Sequence, residues 1–181
     1  MAYIYEYIKH YYNKSFIDEM TFYDLGSGTG KPVIAMSLMH KFKKLIGIEF
    51  LENLNKLSLV AKQNYNKAIN EIFEKNKQIL TFDQPNVIEF IQGDFFKQNW
   101  ENANIMFANS TCFSPEMMKK IAEKANKECK SGTIIITFTK NLNKLNSNWE
   151  TKKGFRRLMT WGIATIYIHK SIRIYIEYYQ F

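Results

Sequence analysis

Between residues 22 and 30 the chain reads Phe22-Tyr23-Asp24-Leu25-Gly26-Ser27-Gly28-Thr29-Gly30, an apolar run carrying one acid and ending in glycine at every second position. Glycine accepts positive φ and has no Cβ, so this stretch can bend sharply and leave bare backbone for a ligand to lie against. Lys31 closes the turn, Pro32 suits a first helical position, and Val33, Ile34, Met36, Leu38 and Met39 supply the apolar residues of a helix. A strand, a glycine turn and a helix in that order make a socket of nucleotide size at the carboxyl edge of a sheet. A chain committed to that unit folds in α/β layers.

The spacing removes two ligand classes. A dinucleotide fingerprint counted from Gly26 needs glycine at position 31, where the chain has Lys31, and a P-loop needs Ser or Thr after Gly30-Lys31, where it has Pro32. A glycine turn that serves only the fold is the alternative. Leu45-Ile46-Gly47-Ile48-Glu49 then reads as a short buried strand ending in an acid nineteen positions after Gly30. A carboxylate there can accept both hydroxyls of a ribose; otherwise it is an acid favouring the start of the next helix.

Along the rest of the chain, residues 1–20 read as one aromatic-rich helix, with Ile4, Tyr7, Ile8, Tyr11 and Tyr12 at helical spacing, covering either the mouth of the socket or a sheet edge. Residues 51–77 form a long amphipathic helix whose expected inner face is Leu54, Leu57, Ala61, Tyr65, Ala68 and Ile72. A third strand, residues 87–95, ends at Gly93-Asp94-Phe95. Its acid can accept from the exocyclic amine of an adenine while the ring covers the base, unless Asp94 merely shapes a turn. A fourth strand covers 104–109. Ser114-Pro115-Glu116 starts a helix lined by Met117, Ile121, Ala122 and Ala125, and residues 133–139 form a buried fifth strand. A polar loop follows over 140–148, and two terminal segments, one around Arg157 to Trp161 and one over Ile163 to Tyr179, alternate as an antiparallel hairpin.

With 181 residues, 46% hydrophobic and 23% charged, the chain is expected to be one globular domain, 1–181. No apolar run approaches the ~20 residues that cross a bilayer, and the first residues match neither a secretory nor a transit pattern. Two cysteines, Cys112 and Cys129, give no disulfide framework and no metal-ligand spacing. Cys112 is expected to be a small buried residue. The expected location is cytoplasmic or nuclear. A net charge of +8 favours proximity to chromatin or nucleic acid, although the surplus is scattered lysine, with arginine only at Arg156, Arg157 and Arg173. His10, His40 and His169 show no acid partner in the sequence.

Asp24-Leu-Gly-Ser-Gly-Thr-Gly30 resembles the first motif of class I S-adenosylmethionine (SAM) methyltransferases. Gly93-Asp94-Phe95-Phe96, then Ala108-Asn109-Ser110-Thr111-Cys112-Phe113 and Pro115-Glu116, are similar to the DOT1-type lysine methyltransferases, with Trp161, Tyr167 and His169 resembling that family's C-terminal segment. Small DOT1-like proteins of microbial eukaryotes share the Ala-Asn-Ser-Thr-Cys-Phe stretch and a Trp-Gly-x-Ala-Thr ending, here Trp161 to Thr165. The resemblance implies a Rossmann-like class I methyltransferase fold, α/β with a mostly parallel seven-stranded sheet and an antiparallel C-terminal strand.

It also implies SAM as cofactor, held by Asp24, Gly26, Ser27, Gly28, Gly30, Glu49, Asp94, Phe95 and Asn109. Asn109, Phe113, Trp161 and Tyr167 would shape the acceptor entrance, the last three being ordinary core residues otherwise. The expected activity is methyl transfer to a protein lysine, histone or other. A small-molecule or RNA methyltransferase and a non-catalytic scaffold of the same fold are the alternatives. Asn109 keeps the family pattern, whereas Ser110 replaces its second Asn and Thr111 its first aromatic.

Overall fold

The computed structural model describes residues 1–12, 14–75, 80, 82–142, 148–159 and 162–172. The chain divides into two compact units, Met1–Gln98 and Asn99–Phe181.

The first unit is built on three parallel strands, β1 (Thr21–Leu25), β2 (Lys44–Glu49) and β3 (Ile88–Gln92), in the order β3-β2-β1. Phe22 pairs with Leu45, Asp24 with Gly47, and Glu49 with Gln92. Every residue of β1 is buried, as an apolar strand covered on both faces must be. Helices α1 (Ala2–Tyr11), α2 (Lys14–Asp18), α3 (Lys31–Met39) and α4 (Glu52–Lys75) complete the unit. Residues 1–20 are therefore two helices rather than one.

Ile4 and Ile8 of α1 are buried, and the Tyr5 hydroxyl bonds His40 Nδ1 at 3.0 Å. Asp18 Oδ1 lies 2.9 Å from His40 Nε2. His40 thus has the acid partner that sequence distance, 22 positions, conceals. It follows α3, a nine-residue helix, so the Tyr5 anchor lies about 13 Å along that axis from the glycine turn.

The inner face of α4 is the expected one only in part: Tyr65 is buried and Leu54, Ala61 and Ile72 are half-buried. Asn55, Ser58, Tyr65 and Ile69 are its buried residues, whereas Leu57 is 53% exposed and Ala68 is exposed. The reason is local: Gly30 brings the turn so close to α4 that a small side chain, Ser58, faces it. A Cβ on Gly30 would stand 3.1 Å from Ser58 Cβ.

The second unit holds β4 (Ile105–Ala108), β5 (Ile134–Phe138), β6 (Trp149–Met159) and β7 (Gly162–Ser171), in the order β4-β5-β7-β6, with α5 (Pro115–Glu128) between β4 and β5. β4 and β5 are parallel; β7 runs antiparallel to both β5 and β6. The expected hairpin is present, but β6 begins earlier, at Trp149, and a register shift falls between Thr151 and Lys153. Ser114 Oγ accepts from Met117 N at 3.1 Å and Pro115 opens α5, as the sequence implies. Met118, not Met117, joins Ile121, Ala122 and Ala125 on the inner face.

Candidate functional site

The glycine turn is held by its own backbone. Gly26 N and Ser27 N both donate to Ile48 O, at 2.9 and 3.0 Å, and Gly30 N donates to Ser27 O at 2.9 Å. All three glycines have positive φ, at 78°, 54° and 80°, a region that other residues enter at a cost. Their surroundings divide the work. A Cβ on Gly30 would lie 2.5 Å from the Phe90 ring, and one on Gly47 would lie 2.6 Å from the same ring and 2.9 Å from Ser27 Cβ. A Cβ on Gly28 would meet nothing within 4 Å. Gly30 and Gly47 make room for Phe90; Gly28 faces open space.

Glu49, at the end of β2, turns toward this opening. Its Oε2 accepts from Gly28 N at 2.7 Å and its Oε1 from Leu51 N at 2.9 Å, with the residue buried. Asp24 is fully buried, and among the described residues neither of its carboxyl oxygens has a hydrogen-bond partner; the buried Ser27 Oγ has none either. Burial first, and the Glu49 carboxylate second, hold the Asp24 carboxyl well above the usual carboxylate range. Buried polar atoms are almost always paired. A turn presenting three that are not, beside a glycine with empty space, has the chemistry to receive a ligand carrying a cation and hydrogen-bonding groups.

Gly93 N donates to Glu49 O at 2.8 Å, which brings the end of β3 to the same edge. Asp94 Oδ1 accepts from Phe96 N at 2.8 Å and caps a short 3-10 turn over Phe95–Lys97, so it does shape a turn. A carboxylate has about four lone-pair sites, and the cap uses one. The Phe95 and Phe96 rings lie 4.6 Å apart at 49°. Phe50 was not singled out from sequence. It follows Glu49, is 68% exposed, and has its carbonyl bonded by Gln92 Nε2 at 3.0 Å. An aromatic directly after a strand-ending acid was the signal available.

In the second unit, Asn109 is exposed and precedes a 3-10 turn over Ser110–Cys112. Ser110, fully buried, donates to Phe138 O at 2.7 Å and accepts from Phe138 N at 3.1 Å. Cys112 is exposed, contrary to the expected burial, because Ser110 takes the inward position of the turn. The other thiol, Cys129, is buried against Met106, and that burial pushes it up to about 12.

Phe113 is half-buried. Tyr167 is half-buried too, stacked on His169 with ring centroids 6.1 Å apart and lying over Gly154. His169 is fully buried between the Thr137 and Thr151 hydroxyls, at 3.0 and 3.1 Å, and burial lowers it to about 4. It is a neutral structural residue. Trp161 lies outside the described residues. Among the described residues no cluster of His, Cys, Asp and Glu could hold a metal, and no helix is long and apolar enough to cross a membrane.

The first unit thus gathers Asp24, Gly26, Ser27, Gly28, Gly30 and Glu49 at one turn and brings Asp94 and Phe95 to the same strand edge. Comparison with known proteins identifies the fold. A solved RNA methyltransferase of Salinibacter ruber, in complex with S-adenosyl-L-homocysteine, is similar in structure with a TM-score of 0.65 and 19% identity, covering 94% of this chain and 92% of that one. A SAM-dependent methyltransferase of Methanosarcina mazei also gives 0.65, at 10% identity over 91% and 96% of the two chains. The fold is therefore the Rossmann-like class I methyltransferase fold, a mixed seven-stranded sheet of mostly parallel strands in which β7 runs antiparallel to β5 and β6.

In sequence, the chain is 31% identical over 139 residues to the H3 lysine-79 specific histone-lysine N-methyltransferase of Caenorhabditis elegans. That match covers 71% of this chain and only 14% of the relative. The family described as "Histone methylation protein DOT1" matches residues 3–160, and this chain belongs to it.

Proposed function

We propose that the chain is a SAM-dependent methyltransferase whose acceptor is a protein lysine. The observation that carries the reading is the buried Asp24 carboxyl, unpartnered at both oxygens in the turn that leaves Gly28 facing open space. When bound, SAM supplies an electrophilic sulfonium methyl, so transfer needs alignment more than acid or base. In this reading Asp24 meets the cofactor's ammonium, Ser27 and the Gly26, Gly28 and Gly30 backbone cradle its methionine part, and Glu49 takes the ribose. The hydrogen bonds from Gly28 N and Leu51 N leave Glu49 a second lone pair on each oxygen for the ribose hydroxyls. Asp94 reads the adenine amine, and Phe95 and Phe50 cover the base.

Asn109, Phe113, Tyr167 and Trp161 serve the acceptor. A lysine must lose a proton first, which costs about 4.6 kcal/mol at pH 7 from a reference pKa near 10.4. An apolar lining of the kind Phe113, Trp161 and Tyr167 offer reduces that cost by disfavouring the ammonium. Holding donor and acceptor in near-attack geometry can supply ~7 to 11 kcal/mol of barrier reduction. The relative's histone specificity supports a protein substrate and nuclear location, and the net charge of +8 supports proximity to chromatin.

The test is transfer of labelled methyl from SAM into cell extract, separated into protein, RNA and small-molecule fractions. The expected result is methyl-lysine in the protein hydrolysate. Label confined to RNA or small molecules overturns the lysine assignment, and no transfer with no SAM binding overturns the enzyme.

A further inference from the structure

Thr139 is the one non-glycine among the described residues with positive φ, at 67°. It stands just past the end of β5, and Lys140 N donates back to Phe138 O at 2.7 Å, closing a three-residue turn around it. Turns of this hand are rare and strained, and a β-branched residue is poorly suited to them. Strain of that kind survives only where the surroundings enforce it. Here they do: Thr139 N donates to Thr165 O at 2.6 Å, Thr137 Oγ1 donates to Lys140 O at 2.5 Å, and buried Ser110 brackets both polar groups of the Phe138 peptide.

The strained turn carries the Thr139 side chain to Thr111. Thr139 Oγ1 and Thr111 Oγ1 are 3.3 Å apart, and Thr111 Oγ1 donates to Asn109 Oδ1 at 3.3 Å. A hydroxyl has one proton. Since that of Thr111 goes to Asn109, Thr139 is the donor in the pair between the two threonines. The result is a relay with one direction, from Thr139 to Thr111 to the carbonyl oxygen of Asn109. It occupies one lone pair of that oxygen and leaves the second, in a fixed plane, for a substrate N–H.

We propose that Thr111 and Thr139 are positioning residues that fix the plane of the Asn109 amide, with the strained turn aiming the relay. This rests on the reading of Asn109 as an acceptor-site residue and deepens it. It also gives a task to Thr111, which stands where the family pattern has an aromatic. The acceptor it fits is a neutral amine with a hydrogen to spare, such as a deprotonated lysine, whose N–H meets Asn109 while its lone pair stays free.

The experiment is side-chain amide NMR on the intact chain, with the Asn109 signal assigned by its loss in Asn109→Ala. The expected result is a rigid Asn109 amide in the wild type, with an order parameter near 0.8, falling below about 0.6 in Thr111→Val and recovering in Thr111→Ser. Thr139→Gly relaxes the turn, so its Tm should not fall, yet it should loosen the Asn109 amide as Thr111→Val does. A merely structural role would move Tm and leave the amide alone. An equally rigid amide in Thr111→Val, or a mobile one in the wild type, overturns the proposal. The Gly28 backbone amide, followed while S-adenosylhomocysteine is added, reports the parent reading separately: if it does not shift, the cofactor assignment fails whatever the Asn109 signal shows.

Discussion

Glu49 ties the end of β2 to the glycine turn: its Oε2 accepts the Gly28 N–H at 2.7 Å while Oε1 accepts from Leu51 N, where α4 begins. From sequence alone Glu49→Ala is expected to weaken SAM binding and spare the fold. The geometry requires more. Removing the carboxylate strips two backbone donors of their acceptor, a loss of about 1 to 3 kcal/mol. Glu49→Ala should therefore lower both the urea midpoint and SAM affinity, and Glu49→Gln, which keeps one oxygen, should fall between. Urea denaturation beside calorimetric titration checks this; an unchanged midpoint in Glu49→Ala would show that the turn holds without it.

Gly28 and Gly30 are alike in sequence and should respond differently to alanine. Gly30→Ala puts a methyl 2.5 Å from the buried Phe90 ring in addition to the strain of φ at 80°, and overpacking of this kind costs about 1 to 3 kcal/mol. Gly28→Ala meets open space and bears only the backbone strain, about 1 kcal/mol, but fills the place a ligand would take. Expected outcomes are a large drop in Tm for Gly30→Ala, part of it restored by adding Phe90→Leu. Gly28→Ala should show a small drop in Tm with lost SAM binding. Equal drops in Tm for the two single variants would contradict the division of labour between these glycines.

Much of the fold was legible because its signals are local. The strand, glycine turn and Pro32 fix β1 and the start of α3 within a dozen residues, and Ser114-Pro115 fixes the start of α5. Tyr65 is on the inner face of α4 as expected, but Leu57 and Ala68 were misread because periodicity counts apolar residues, whereas the close glycine turn puts Ser58 against Gly30 and leaves Leu57 in solvent. The Asp18–His40–Tyr5 cluster joins residues 13 to 35 positions apart, and no motif announces such a meeting. The same holds for the Thr139 turn, whose strain is enforced by the Thr165 carbonyl on β7 and by the Ser110 hydroxyl.

His169 should make stability sensitive to acid. Burial lowers it from the ordinary 6.5 to about 4. The ring lies between two hydroxyls, Thr137 Oγ1 at 3.0 Å from Nε2 and Thr151 Oγ1 at 3.1 Å from Nδ1, and the only cause of the shift is burial, which disfavours the charged form. Between pH 6.5 and 4 the unfolded chain binds the proton and the folded one does not. Stability from this group is complete above pH 6.5 and declines as the pH falls toward 4, by about 3 kcal/mol at one pH unit per 1.36 kcal/mol. His169→Gln should flatten that part of the profile. Urea unfolding at several pH values tests it, and a wild-type His169 titrating near 6.5 by NMR would overturn it.

Asp24 gives the opposite sign, and the cofactor should reverse it. Its carboxyl is held well above the usual range by burial and by Glu49, so the folded chain without ligand binds the proton more tightly than the unfolded chain does. Stability should then decline as the pH rises through the folded pKa. A ligand ammonium needs the carboxylate, so binding should expel the proton, and affinity should strengthen with rising pH over the same interval. Titrating SAM in two buffers of different ionisation enthalpy at one pH measures proton release directly. Asp24→Asn should abolish the release and weaken binding at least tenfold, about 1.4 kcal/mol, while making the ligand-free chain more stable at high pH. Binding without proton release at every pH from 5 to 8 would mean that Asp24 does not meet the cation.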